Sequence, residues 1–443
     1  MAKTRVLIIG AAGRDFHNFN TVYRTDPNTE VIAFTAAQIP DIDGRKYPAS
    51  LAGQYYPQGI PIYDESELPR LINEEKIDEC VLSYSDLPYE RVMHIGSLVM
   101  ANGAKFSMMG TTPTMIKSTK PVISITAVRT GCGKSQTTRA VVRALKEAGL
   151  KVVSVRHPMP YGDLEIQKVQ RFETIADLTK HKCTIEEMEE YEPHIAMGSI
   201  IYSGVDYEAI LREAEKEADV ILWDGGNNDM SFYLPDLSIT VVDPLRPGHE
   251  IAYYPGEVNL RTADIIVMNK IDSAYPEDVN EVLHNIREYN PKAEIVMAAS
   301  SIMVDNPSVI KGKRVLVIED GPTLTHGEMQ IGAGTVAAER FGALELIDPR
   351  EMAVGKLAET FEKYPEIGIL LPAMGYGEQQ MKDLEATIAK VDCEGVVIGT
   401  PIDLGRFIKI KQPQTRVNYE LSEIGFPTVK SLVGDFIKVH NLK

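Results

Sequence analysis

Short apolar runs recur along the chain, each four to six residues long, followed by a polar or small-residue stretch and then by apolar residues at helical spacing. Runs at 5–9, 31–34, 80–83 and 105–108 predict buried parallel strands with helices between them. The same signal returns at 122–125, 151–155, 220–223, 237–242, 265–268 and 294–297, and again at 314–318, 367–371 and from 395. Helices are predicted over 134–148, 333–341, 351–362 and 378–389. This alternation predicts an α/β protein with mostly parallel sheets. The polar segment Lys117-Ser118-Thr119-Lys120-Pro121, closed by a proline, marks a boundary. Three units follow, 1–119, 120–309 and 310–443, about the number expected at roughly 150 residues per domain.

The second unit opens with the densest chemical signal. Its first strand runs into Thr126-Ala127-Val128-Arg129-Thr130-Gly131-Cys132-Gly133-Lys134-Ser135, and a helix follows at once. In a phosphate-binding loop, small residues let backbone N–H groups turn toward an anion, the lysine reaches the outer phosphates, and the serine hydroxyl takes Mg²⁺. Arg129, Thr130, Gly131, Cys132, Gly133, Lys134, Ser135 and Gln136 are therefore the candidate nucleotide-binding residues. Val128 stands where the usual pattern has glycine, so the loop entry must use an ordinary backbone conformation. Cys132 lies beside Lys134 at a helix start, a setting that favours a thiolate.

A phosphate loop predicts partners at the ends of later strands, because ligands gather at the carboxyl edge of an open α/β sheet. Val220-Ile221-Leu222-Trp223-Asp224 delivers Asp224 to that edge, where with Ser135 it can hold Mg²⁺; Asp229 is a second carboxylate nearby in sequence. After the strand 265–268 comes Asn269-Lys270-Ile271-Asp272, in which a carboxylate can accept the guanine N1 and N2 protons while Asn269 and Lys270 contact the base. The next strand ends in Ala298-Ala299-Ser300, placing Ala299 beside the base.

Further candidates line other strand ends. Arg156-His157 and Arg246 with His249 suit a transferring phosphoryl group or an anionic substrate: Arg246 to stabilise charge, His157 and His249 as acid, base or ligand. The first unit is Rossmann-like, yet its first turn has Gly10, Ala12 and Asp15 where a dinucleotide fingerprint has three glycines, which argues against NAD. Gly10, Gly13 and Arg14 can still bring donors to a phosphate or carboxylate.

A formal charge of −17 argues against nucleic acid and anionic membrane surfaces as partners. The four cysteines, Cys80, Cys132, Cys183 and Cys393, form no Cys-x-x-Cys pair, which suggests neither a disulfide framework nor a zinc site. No segment reads as a signal peptide or membrane span. The expectation is a cytoplasmic protein, and a homodimer or higher homo-oligomer.

Gly133-Lys134-Ser135-Gln136-Thr137-Thr138 resembles the signal-recognition and metallochaperone GTPases over about 121–300. The whole chain resembles the predicted GTPases labelled cyclic 2,3-diphosphoglycerate synthetase-like, with Gly10-Ala11-Ala12-Gly13-Arg14-Asp15-Phe16-His17-Asn18-Phe19-Asn20 in front and Glu319-Asp320-Gly321-Pro322-Thr323-Leu324-Thr325-His326-Gly327 behind. This resemblance implies a central P-loop NTPase domain with a C-terminal α/β domain. It also implies an Mg²⁺-dependent NTPase that couples hydrolysis or phosphoryl transfer to a small anionic metabolite, such as ring closure in 2,3-diphosphoglycerate. The guanine-type motif points to GTP and the family reaction to ATP, so both remain candidates. A regulatory or metallochaperone-like GTPase switch is the alternative.

Overall fold

A computed structural model describes the chain apart from residues 1, 12, 38–43, 158–161, 227–228, 322–323, 325–328, 374–377, 401 and 443. Residues 158–161 of the loop after Arg156, Asn227 and Asn228, and most of the stretch from Pro322 to Gly327 thus lie outside the described residues. The fold is mixed α/β with mostly parallel sheets. The first sheet has the order Lys46–Tyr47, Ile60–Asp64, Thr29–Ala36, Thr4–Ile9, Glu79–Leu82, Lys105–Met108, and only the first pair is antiparallel. Val6, Leu7, Ile8 and Ile9 are all buried, as expected of a central strand covered on both faces.

The second sheet carries everything else. From one edge it runs Gln170–Phe172, Ile200–Ser203, Val152–Arg156, Val220–Trp223, Val122–Ala127, Leu237–Val242, Ile265–Met268 and Glu294–Val304. It continues through Gln414–Ile424, Gly395–Ile398, Arg314–Asp320 and Glu345–Leu346, and Leu371–Ala373 pairs alongside Arg314–Asp320. Strand direction reverses once in its interior. Glu294–Val304 pairs antiparallel with Gln414–Ile424 along eight positions, from Met297↔Ile424 to Val304↔Val417.

That reversal shapes the molecule. Of the two long strands, Ile265–Met268 covers only the start of one, residues 294–297, and Gly395–Ile398 only the start of the other, residues 414–416. Between these attachments the two strands form a bare ribbon of seven residue pairs, from Ala298↔Glu423 to Val304↔Val417, roughly 20 Å from first to last at about 3.4 Å per residue. The strands on either side run toward the middle of this ribbon, so the carboxyl ends of the phosphate-loop strands and of Arg314–Asp320 face one another across it.

Several elements differ from expectation. The strand expected at 367–371 is Leu371–Ala373, an edge strand that tolerates Pro372, while Ile367 and Leu370 are buried in the adjoining core. The helix expected over 351–362 is Lys356–Lys363, because Gly355 at φ +57° breaks the preceding turn. Ala298-Ala299-Ser300, expected just past a strand end, lies inside the long strand. The polar-looking strand Gln414–Ile424 gave no signal of its own. Part of the segment 40–61, rich in Tyr, Pro and Gly and without regular periodicity that would predict a buried element, packs inward, with Tyr47 and Tyr56 buried against Phe16, Phe19 and Phe34. Among the described residues no helix is long and apolar enough to cross a membrane.

The first sheet docks on the second through an aromatic cluster. Phe232, fully buried, stacks on His17 (4.0 Å between ring centres) and packs against His157, Trp223 and Tyr207, with the Arg14 guanidinium 4.6 Å away. Tyr253–Tyr254 pairs with Leu87–Pro88 nearby. Phe232→Ala should cost about 3–5 kcal/mol and expose the 109–121 connection to protease. Thermal unfolding with limited proteolysis checks this, and an unchanged transition would show that the cluster does not hold the two sheets together.

Candidate active site

The phosphate loop follows the buried strand Val122–Ala127 and caps the helix Lys134–Glu147. Gly131 (φ +85°) and Gly133 (φ +104°) take the left-handed conformations that the pattern requires. Val128 is not among the residues with positive φ, as its side chain demands. Three donors hold the outer side of the loop. Lys270 Nζ donates to Gly131 O (2.7 Å), Asn269 Nδ2 to Cys132 O (3.0 Å) and Arg246 Nη2 to Thr130 O (2.8 Å). A trans peptide sets N–H opposite its C=O, so carbonyls drawn outward turn the Gly131 and Gly133 amides inward. Asp243 anchors two of these cations, at 2.8 Å from Lys270 and 3.3 Å from Arg246.

Asp224 sits behind the loop at the end of Val220–Trp223 and is buried. Its Oδ1 accepts from Lys134 Nζ and from Thr138 Oγ1 (3.0 Å). Its Oδ2 meets His194 Nε2 (3.1 Å) and Arg156 Nη1 (3.2 Å), and Arg156 also pairs with Glu190 at 2.5 Å. Burial alone would push this carboxyl up, but Lys134, Arg156 and His194 outweigh it and hold it well below the usual carboxylate range. Burial lowers the Lys134 ammonium, with Arg156 acting in the same direction.

These groups line one side of a cavity of about 230 Å³. Gly131, Gly133, Lys134, Ser135, Gln136, Arg156 and Asp224 form the phosphate side, and Ser300, Ile302 and Tyr419 of the ribbon form its floor. The opposite side is acidic. Glu319 and Asp320 end the strand Arg314–Asp320, and Glu189 and Glu190 project from the helix Ile185–Ala196, which also supplies His194. That helix ties both sides together, since Thr400 Oγ1 donates to Glu189 while His194 reaches Asp224. Burial pushes the Glu319 carboxyl up to about 7, against the pull of hydrogen bonds from Gly334 N, Thr335 N and Thr335 Oγ1.

The remaining candidates fall elsewhere. Arg129 donates to Asp86 (2.6 Å), contacts His249 Nδ1 (2.8 Å) and lies over Tyr253 (3.6 Å), so Arg129 and His249 together brace the first sheet against the loop. Arg14 is buried on Asp229 and Met230 O, and Gly13 N donates to the Asp15 carboxylate in the turn after Gly10. His157 packs in the aromatic cluster, where burial, with Arg14 and Arg156 nearby, holds its pKa well below the ordinary value. It is a neutral ring, not the cation that an anionic substrate would meet. Cys132 also differs from expectation, because burial pushes its thiol up to about 11 and outweighs the nearby cations. Ala299 pairs with Ser422 in the ribbon, and Gln136 Nε2 donates to Ser300 Oγ (2.9 Å). Asp272 accepts from Ser300 N (3.2 Å) and pairs with Arg340 (3.0 Å). His194 and the acidic side chains were not named as site residues; the family motif that opens with Glu319-Asp320 and the charge run Glu186-Glu187-Met188-Glu189-Glu190 were their visible traces.

No protein-family model matches the chain. Arginine synthetase ArcE of Thermococcus kodakarensis is 59% identical over 436 residues, 98% of this chain and 97% of that protein. The chain belongs to the ArcE family. The resemblance carried by its motifs also holds at a greater distance: cyclic 2,3-diphosphoglycerate synthetase of Thermococcus sibiricus is 25% identical over 281 residues, 58% of this chain and 64% of that one. With a phosphate loop and synthetases as relatives, this chain is an NTP-dependent enzyme of small-molecule metabolism. Among solved structures, LpxK of Aquifex aeolicus in complex with ATP matches with TM-score 0.43 and 13% identity over 78% of this chain and 95% of that one, too distant to bear on the site.

A side chain at Gly133 would need φ +104° and would place its Cβ 2.0 Å from Asn269 Nδ2. Gly133→Ala should therefore weaken nucleoside triphosphate binding at least roughly tenfold, about 1.4 kcal/mol, in calorimetric titration without changing the circular dichroism. Adding Asn269→Ala removes the clash and should recover only part of the loss, since the backbone strain remains.

Proposed function

We propose that this chain makes arginine, using a nucleoside triphosphate to phosphorylate the oxygen of a ureido group and exchanging that phosphate for an amine nitrogen. The observation that carries the reading is the identity with arginine synthetase ArcE across nearly the whole chain. A guanidinium carbon bears three nitrogens, so building one from a ureide replaces a carbon–oxygen bond by a carbon–nitrogen bond. The oxygen leaves poorly until it carries a phosphoryl group.

The phosphate side suits that transfer. Lys134 and the inward amides of Gly131 and Gly133 would neutralise the outer phosphates, and Arg156 would stabilise charge on the moving phosphoryl group. Ser135, on the first helical turn, and Asp224 are hard oxygen donors beside the cavity and fit an Mg²⁺ ion bound with the nucleotide. Bound there, it would offset phosphate charge. Lys134 is held by Asp224, so nucleotide entry would exchange a carboxylate for a phosphate on the same ammonium.

ATP is the proposed donor, because the Asp272 carboxylate that a guanine would need is engaged by Ser300 and Arg340. Ring closure in 2,3-diphosphoglycerate has less support. It would bring a densely anionic substrate against Glu189, Glu190, Glu319 and Asp320.

Protein supplied with Mg-ATP, the ureido analogue of arginine and either ammonium or glutamine should yield arginine and ADP in equal amounts. No arginine with either nitrogen source would end this reading. Lys134→Ala should lower kcat on the order of a hundredfold or more. Assays with GTP in wild type and Asp272→Asn read the base: ATP preference should survive the substitution, whereas a GTP preference lost in Asp272→Asn would assign Asp272 to guanine.

A further inference from the structure

The acidic wall holds a carboxylate that the phosphate chemistry does not use. Glu319 is 2% exposed yet lines the cavity, and no cation lies within ion-pairing distance of it among the described residues. Its hydrogen bonds from Gly334 N and Thr335 N cap the helix Ala333–Arg340, which explains an acceptor at this position. Capping does not explain what surrounds it. A Cβ at Gly332 would lie 2.5 Å from Glu319 Oε2, one at Gly399 2.3 Å from the same oxygen, and one at Gly334 3.1 Å from Oε1. Three glycines from two separate segments thus keep side chains away from this one carboxylate.

A second observation comes from the other end of the cavity. His194 is 3% exposed and lines the cavity, and its Nδ1 has no hydrogen-bond partner among the described residues. Its Nε2 is engaged by Asp224, which leaves Nδ1 a buried ring nitrogen without a partner in the cavity lining. A buried polar atom of this kind is costly unless something fills it. The unpartnered nitrogen marks the cavity as one that takes a polar ligand, and the acidic side, where Asp320 and Glu189 add negative charge beside Glu319, suits a small group rich in N–H and carrying positive charge.

We propose that this wall is the amine site of the enzyme: it binds an ammonium-class cation, and Glu319 is the catalytic residue that takes its proton. The inference rests on the reading of the chain as an arginine synthetase. Glu319 would accept one proton from the ammonium, and the freed lone pair forms the new bond to the isourea carbon as the carbon–oxygen bond to phosphate breaks. A second proton from that nitrogen leaves with the phosphate as monohydrogen phosphate. Glu319 then returns its proton to the imine nitrogen, giving the guanidinium. The product cation stays against the same carboxylates, so arginine should compete with ammonium.

The test compares wild type with Glu319→Gln and Asp320→Asn, each checked for folding by circular dichroism and for ATP binding by calorimetry. At saturating ATP and ureido substrate, Glu319→Gln should lower arginine formation at least a hundredfold with ATP affinity unchanged, and Asp320→Asn should raise the KM for ammonium chloride severalfold with little change in kcat. Arginine should inhibit competitively with ammonium. If arginine forms and both variants keep the wild-type KM and kcat for ammonium, the amine site is elsewhere while the synthetase reading stands. If wild type makes no arginine but ammonium chloride, against sodium chloride at equal ionic strength, stimulates ATP hydrolysis in wild type and not in Glu319→Gln, the synthetase reading fails and the amine site is supported. Should Glu319→Gln not fold, Asp320→Asn and the competition by arginine decide.

Discussion

One buried carboxylate, Asp224, holds the site together. It joins three separately encoded pieces to its own strand: Lys134 and Thr138 from the phosphate-loop helix, Arg156 from the neighbouring strand end, and His194 from a helix that arrives from the far side of the cavity. Burying charges at this density is costly, and apolar residues of similar volume would often be as stable. Stability alone gives no reason to keep the network. A set of opposed charges in which an ammonium can change partners from carboxylate to phosphate does give one.

The cavity itself exists because strand direction reverses along the ribbon of Glu294–Val304 and Gln414–Ile424. In a uniformly parallel sheet every carboxyl end would face the same solvent edge, and a ligand there would meet protein on one side only. Here two sets of carboxyl ends meet. One brings main-chain amides and cations suited to a triphosphate, and the other brings carboxylates suited to a cation. Electrostatics therefore sorts the two ends of the proposed reaction, which would consume a polyanion and create a cation, without any element having to move between them.

The first sheet contributes through contacts rather than through a ligand loop. Asp86 receives Arg129 and the Thr130 amide from the phosphate loop, and Arg14 is buried against Asp229 and Met230, a few residues past Asp224. Both ends of the nucleotide-binding machinery are thus pinned to one neighbour. Arg14, part of what looks like a ligand-binding turn in the sequence, is buried in the fold against the loop after Asp224.

The sequence by itself determined the local pieces: buried strands at 122–125 and 237–242, the two loop glycines, the lysine at the helix start, and the aspartate at the end of a Val-Ile-Leu-Trp strand. Each rests on spacing within a dozen residues, where backbone geometry and apolar periodicity act directly. Only the tertiary structure decided which loops share a cavity. Glu319 lies 185 residues beyond Lys134, on a strand whose direction follows, through Gly395–Ile398, from that of Gln414–Ile424, which is too polar to announce itself as a strand. Asn269 and Lys270 were legible as a pair with a purpose, yet the carbonyls they grip belong to a loop brought near only by sheet order. Periodicity encodes the faces of an element; the pairing of distant strands, and hence the company that a side chain keeps, is written in long-range contacts that no local pattern carries.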